Sequence, residues 1–261
     1  MKNSKWFLVH GDRPAPAYRV FCFPYAGASA SLAVFREWAS FLPADVQLIA
    51  VELPGRGRRY GTPLVRSLHS LVEQILTAIR PLTGLPYTFV GHSIGALLAF
   101  ELARAMRDKG LRLPETLLVS GKRAPQLPHK QRLHLLPDNE LILALKDYNG
   151  TPDAVLEHPE LMELFLPILR ADFSLAETYR HIPAAPLPIP IHAYGGVDDP
   201  GVKQECLEPW RSHTSTDFNL EMLPGDHFFI EKEARQAMRE RLVARIVETR
   251  NKNAQMPPVF A

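Results

Sequence analysis

A chain of 261 residues, 46% hydrophobic and 22% charged, suits one α/β domain with a substantial core, and this composition excludes disordered and collagen-like classes. Its 30 basic and 28 acidic residues leave a net charge of +2, which offers no bulk argument for nucleic-acid binding. Only two cysteines occur, Cys22 and Cys206, so a disulfide framework and a CxxC metal or redox motif are excluded, and both read as buried small hydrophobes.

The chain opens on MKNSKWFLVHGDR, where four consecutive apolar residues, Trp6 to Val9, are too few for a signal peptide or a membrane span. A cytoplasmic location with no membrane partner is the resulting expectation. Short β-rich runs then alternate with helical patterns, which predicts βα units and a mostly parallel sheet flanked by helices. Strands are expected at Tyr18–Phe23 and Val46–Val51. Between them Leu32, Phe35, Trp38, Ala39 and Leu42 recur at helical spacing. A second amphipathic face carries Leu68, Leu71, Val72, Ile75 and Ile79, with Ser67 placed to cap it. A strand at 87–90 leads through a Gly-bounded turn into a helix over 94–109, and Gly110 sits where a helix C-cap belongs. Another strand follows at Thr116–Ser120.

The rhythm breaks from about 124 to 183, where Leu141, Leu145, Leu161, Leu164, Leu169 and Phe173 suggest helices and no strand is convincing. Long insertions of this kind are usually lids or binding elements. Strands at 191–194 and Phe218–Leu223 and a helix over 231–250 complete the pattern. The expected organisation is a single domain over 1–261, with a core at 15–123 and 184–250, the insertion at 124–183, and a flexible tail at 251–261.

The strongest chemical signal is Gly91-His92-Ser93-Ile94-Gly95, a GxSxG sequence between a predicted strand and a predicted helix. A Cβ at either glycine would crowd the turn that pushes the serine forward. A serine hydroxyl needs a base to take its proton, and in this context the chain order is Ser, acid, His. His227 in PGDHFF, just after the last strand, is the better base, while His213 reads as a solvated surface residue and His92 as a structural neighbour in the turn. In Tyr194-Gly195-Gly196-Val197-Asp198-Asp199-Pro200 two aspartates compete for the role of acid. Asp199 is favoured because the following proline holds it extended. Asp198 and Asp226 remain alternatives. An oxyanion hole would take one N–H from Ile94 and a second from Phe23-Pro24-Tyr25-Ala26-Gly27-Ala28-Ser29, with Ala26 first and Tyr25 next. The arginines of Leu53-Pro54-Gly55-Arg56-Gly57-Arg58-Arg59 could touch a phosphate, but a structural turn with solvated arginines is the simpler reading. No zinc motif or dinucleotide fingerprint occurs.

FPYAGASAS, LPGRGRR, GHSIGALLAFELA, LPILRADFSLAETY, GGVDDPGV and PGDHFF stand in this order, and together they resemble type II thioesterases. These are the stand-alone editing enzymes that accompany non-ribosomal peptide synthetases and polyketide synthases. The resemblance runs from about residue 15 to about residue 248. It implies an α/β-hydrolase fold whose helical lid matches the insertion. It also implies hydrolysis of acyl groups from the phosphopantetheine arm of acyl or peptidyl carrier domains, without a cofactor or metal of the enzyme's own. Carried over by motif, Ser93, Asp199 and His227 are nucleophile, acid and base, and nothing demands more than a monomer. Tyr25 and Gly27-Ala28 depart from the family's usual first loop, where histidine or phenylalanine and paired glycines are common. Two other readings stay open: a small-molecule carboxylesterase or acyltransferase, and a non-catalytic binding protein on a hydrolase scaffold.

Overall fold

Side chains alternate across a strand, and here that alternation divides the core in two. In β2 (Tyr18–Phe23), Phe21 and Phe23 join one cluster while Val20 and Cys22 join another. In β3 (Val46–Val51), Ile49 and Val51 fall in the first, and Val46, Leu48 and Ala50 in the second. Every residue of β3 is buried, as a parallel strand covered on both faces requires.

The computed structural model describes residues 4–129, 132–148, 150 and 153–255. The remaining strands are β1 (Phe7–His10), β4 (Tyr87–His92), β5 (Thr116–Ser120), β6 (Ile191–Gly196) and β7 (Phe218–Leu223). They form one sheet in the order β1-β3-β2-β4-β5-β6-β7, with all pairs parallel except β1 against β3. The helices are α1 (Ala33–Phe41), α2 (Leu68–Ile79), α3 (Ile94–Asp108), α4 (Asp138–Tyr148), α5 (Asp153–Leu156), α6 (Pro159–Glu177), α7 (Gln204–Leu207) and α8 (Arg235–Gln255). The first cluster packs α2 and α3 on one face of the sheet, and the second packs α1 and α8 on the other. Ser67 caps α2 by accepting from the Ser70 N–H at 3.4 Å, and Gly110 takes the positive φ that ends α3.

From β2 the chain turns one way to β3, and β4 then pairs on the opposite side of β2. At this switch point the loops leaving β2 and β4 diverge and open a crevice at the carboxyl ends of the strands.

Between β5 and β6 lie α4, α5 and α6, with a small apolar cluster of their own that includes Leu141, Leu145, Met162 and Leu169. Leu161 and Leu164, expected to share the apolar face, are instead 44% and 58% exposed. Two further departures concern the ends of the chain. β1 was not among the expected strands. The last helix starts four residues later than expected and runs to Gln255, so 251–255 are helical rather than a tail. Residues 256–261 lie outside the described residues.

Two polar readings also change. Cys206 is only half-buried and accepts from an Arg123 guanidinium N–H at 3.5 Å. His213 is buried, not solvated: its ring packs against Phe100 and Trp210, and Nε2 pairs with Gln126 Oε1 at 2.6 Å. Burial, with repulsion from His181 and Arg104, pushes its imidazole down to about 4. Between pH 6.5 and 4 the unfolded chain therefore takes up a proton that the folded chain refuses, and stability falls as pH falls. Urea titrations at pH 7.5, 6 and 5 should show that fall, and His213→Gln should flatten it by up to one proton's worth of slope. A variant with the wild-type slope would contradict this account.

Candidate active site

The end of β4 and the start of α3 are separated by a single residue, Ser93, and the turn has no room to spare. A Cβ on Gly95 would fall on the carbonyl oxygens of Phe23 and Pro24, and one on Gly91 would fall on the backbone of Gly95. Ser93 takes φ +54°, and no other non-glycine residue among those described has positive φ. Such a conformation costs about 1–3 kcal/mol and persists only where its surroundings impose it. Here the Ser93 N–H donates to Ser120 O at 2.8 Å, and Ser93 O accepts from the Ala96 N–H at 3.0 Å.

Ser93 Oγ stands 3.1 Å from His227 Nε2, and His227 Nδ1 stands 2.6 Å from Asp199 Oδ2. Asp199 is 1% exposed, and its other oxygen accepts from the N–H groups of Gly201 (2.8 Å) and Val202 (3.0 Å). Those two bonds aim the free edge of the carboxylate at the imidazole. The rival acids are engaged differently. Asp198 is exposed, and its N–H donates to Gly225 O at 3.0 Å. Asp226 accepts from the Phe228 N–H at 2.7 Å and pairs with Lys232 at 2.9 Å. Ser93, His227 and Asp199 are thus brought together, whereas His213 lies with Phe100 and Trp210 in the core.

His92 sits in the same turn with its ring 5.2 Å from that of His227 and its Nδ1 3.0 Å from Ser120 Oγ. Burial, reinforced by His227, holds its imidazole well below the ordinary range. His227, and not His92, is the imidazole within hydrogen-bond reach of Ser93 Oγ. Tyr25 packs on Phe228 and donates its hydroxyl to Glu231 at 3.0 Å, and partial burial pushes the half-buried Glu231 carboxyl upward.

Ala26, Tyr25 and Ile94 all line the cavity into which Ser93 opens. Among the described residues, neither the Ile94 nor the Ala26 N–H has a protein acceptor. The Ile94 N–H belongs to the first turn of α3, where backbone donors have no intrahelical partner. The cavity has a volume of about 660 Å³, within the range of small-molecule sites. Its far wall is apolar and comes from the insertion: Leu133, Leu145, Val155, Phe165, Leu169 and Phe173. Lys122 also borders it, lowered by burial to about 8.

The arginine segment is not a solvated turn. Arg56 and Arg59 are both buried, Arg59 lies over the Trp6 ring at 3.4 Å, and Arg58 donates to Phe7 O at 3.0 Å. Arg56 makes a two-pronged ion pair with Asp172 of α6, at 2.5 and 2.7 Å, so its guanidinium is occupied by protein rather than offered to a phosphate. Asp172 and the buried Glu52 do not line the cavity but bond to the loop that does, at Gly27 and at Ser29 and Ala30, and motif reading passed over both. Asp172 does leave a sequence signal. It falls between Leu169 and Leu175 on the buried face of a helix, where a lone carboxylate needs a cationic partner.

Among the described residues no group of three or more His, Cys, Asp or Glu side chains could hold a metal ion, and no helix is long and apolar enough to cross a membrane.

A thioesterase-domain family model matches residues 18–249. The gramicidin S biosynthesis protein GrsT of Aneurinibacillus migulanus is 44% identical over 228 residues, covering 87% of this chain and 88% of its own. Among solved structures, the RedJ thioesterase of the prodiginine pathway in Streptomyces coelicolor superposes with a TM-score of 0.84 at 36% identity, covering 89% of this chain and 92% of its own. BorB, described as the type II thioesterase of the borrelidin biosynthetic cluster, gives 0.81 at 33% identity, with coverages of 93% and 96%. The parallel sheet and its flanking helices are the α/β-hydrolase fold of these enzymes.

Proposed function

This chain belongs to the thioesterase family, and from that premise we propose that it is an editing enzyme that hydrolyses acyl groups from the phosphopantetheine arm of carrier domains of a non-ribosomal peptide or polyketide synthase. The observation that carries the reading is the hydrogen-bonded chain Ser93–His227–Asp199 opening into an apolar cavity of acyl size. The relatives GrsT, RedJ and BorB are named for gramicidin S, prodiginine and borrelidin biosynthesis, and that setting supports the choice of a carrier-bound substrate.

In this mechanism His227 Nε2 takes the Ser93 hydroxyl proton as Oγ attacks the thioester carbonyl carbon. The N–H groups of Ile94 and Ala26 receive the developing oxyanion, and Asp199 steadies the imidazolium. Collapse breaks the C–S bond, and the departing sulfur takes the proton from His227, so that pantetheine leaves as the thiol and the imidazole is neutral again. The acyl group is now an ester of Ser93. Water gives a proton to His227, attacks the ester carbonyl, and the second collapse returns the proton to Oγ and frees the carboxylic acid. A thiolate leaves readily, so little acid assistance is needed and one histidine suffices. The cavity's apolar far wall receives the acyl chain, and the insertion from 124 to 183 serves as the lid over it.

The test is release of an acyl group from a phosphopantetheinylated carrier protein, set beside hydrolysis of a p-nitrophenyl ester of the same acid. A kcat/KM at least tenfold higher on the carrier is expected. Preference for the simple ester would favour a carboxylesterase, and transfer to an added alcohol or amine in place of hydrolysis would favour an acyltransferase.

A further inference from the structure

The loop after β2 has to present the Ala26 N–H to an oxyanion, yet from Ala26 to Ala30 it consists of small residues that set no conformation by themselves. Two buried carboxylates from elsewhere in the chain hold it. Glu52, just past β3, accepts from the Ser29 hydroxyl at 3.0 Å and the Ala30 N–H at 3.0 Å. Asp172, in α6 and 145 residues away from Gly27, accepts the Gly27 N–H at 2.7 Å. The same Asp172 oxygen takes Arg56 Nη1, and the other takes Nη2, while Nη1 also reaches Ala28 O at 3.3 Å. Both side chains are almost wholly enclosed, at 6% and 3% exposure. Gly27 has φ +78°, and a Cβ there would stand 2.7 Å from Phe165 and 2.9 Å from Leu169, so α6 lies directly on the loop.

Resting on the hydrolytic reading above, we propose that Asp172 is a positioning residue for the oxyanion hole: by accepting the Gly27 N–H it fixes the peptide next to Ala26, while Arg56 neutralises a carboxylate that would otherwise repel the oxyanion. The Gly27 N–H is thereby consumed, leaving the neighbouring Ala26 N–H as the donor that faces substrate. The arrangement also makes one helix serve two ends, since α6 supplies apolar cavity wall through Phe165, Leu169 and Phe173 and holds the loop through Asp172. A structural ion pair and a positioning carboxylate predict opposite results for two variants. Asp172→Asn keeps an oxygen for the Gly27 N–H but loses the charge pairing. Arg56→Met combined with Asp172→Leu removes both charges, restores apolar packing and leaves Gly27 without an acceptor. Replacing a buried ion pair by apolar side chains of similar size is often neutral for stability.

The experiment measures kcat and KM on an acyl-N-acetylcysteamine thioester, per active site titrated to completion with a fluorophosphonate, and the affinity for an alkyl boronic acid that mimics the tetrahedral adduct. The double variant is expected to lose about 100-fold in kcat with KM within threefold, because an error of about 1 Å in a donor's position has that effect. Its boronate affinity should fall in parallel. Asp172→Asn should lose no more than about fivefold, though it melts at a lower temperature. Wild-type turnover in the double variant would overturn the proposal. So would a 100-fold loss in Asp172→Asn assayed well below its melting point, and either variant decides the matter if the other does not fold. Should these variants overturn it while Ser93→Ala abolishes turnover, the hydrolytic reading stands and only the role of Asp172 falls.

Discussion

Ser93→Ala is expected to lower turnover of a carrier-bound thioester by roughly 10,000-fold or more, leaving only what binding and the oxyanion hole contribute. The loss should fall on kcat, since among the described residues the hydroxyl bonds to His227 alone, and its removal leaves the cavity walls in place. Folding should survive, because Ser93 N–H and C=O, which anchor the turn, are unchanged. Single-turnover release from an acylated carrier, with the melting temperature measured on the same sample, makes the comparison. Equal release by the two proteins would remove Ser93 from the mechanism and revive the binding-protein alternative.

Asp199→Asn is expected to cost about 10,000-fold, and Asp198→Asn less than threefold. The amide at 199 can still accept from Gly201 and Val202 through its oxygen, which turns its NH₂ toward His227 Nδ1. An imidazole that accepts there must carry its proton on Nε2, facing Ser93, and so cannot take the serine proton; in Ser-His-Asp sites this tautomer error costs about 10,000-fold. Asp198 is exposed and reaches none of these groups. Values of kcat/KM for the two variants at neutral pH decide between adjacent residues that sequence could rank only by the proline after one of them. A larger loss at 198 would reverse the assignment.

What sequence made legible was whatever local sterics or chain order encode. Gly91 and Gly95 announce the turn at Ser93 because their lack of a Cβ is needed within four residues of one another. The parallel strands were readable from short β-rich runs spaced by helical patterns. β1 was not, because four residues with only the outer two buried carry no period that separates a strand from a loop. The deeper errors share one cause: the partner is remote in sequence. Arg56 looks solvent-bound until Asp172 closes on it across 116 residues, and His213 until Gln126 meets it across 87. The late start of α8 has a nearer cause: residues 227–234 form consecutive turns, and Phe229 O accepts from the Ala234 N–H before the helix begins.

The insertion's own apolar cluster has a consequence for how such an enzyme diversifies. Leu141, Leu145 and Leu156 pack among themselves and are absent from both clusters that cover the sheet. Substitutions there can reshape the space offered to an acyl chain while the packing that supports Ser93, His227 and Asp199 is untouched. Substrate range can therefore drift by repacking a detachable wall, with α6 as the boundary at which that freedom ends, because Phe165 and Leu169 already lie against the loop at Gly27.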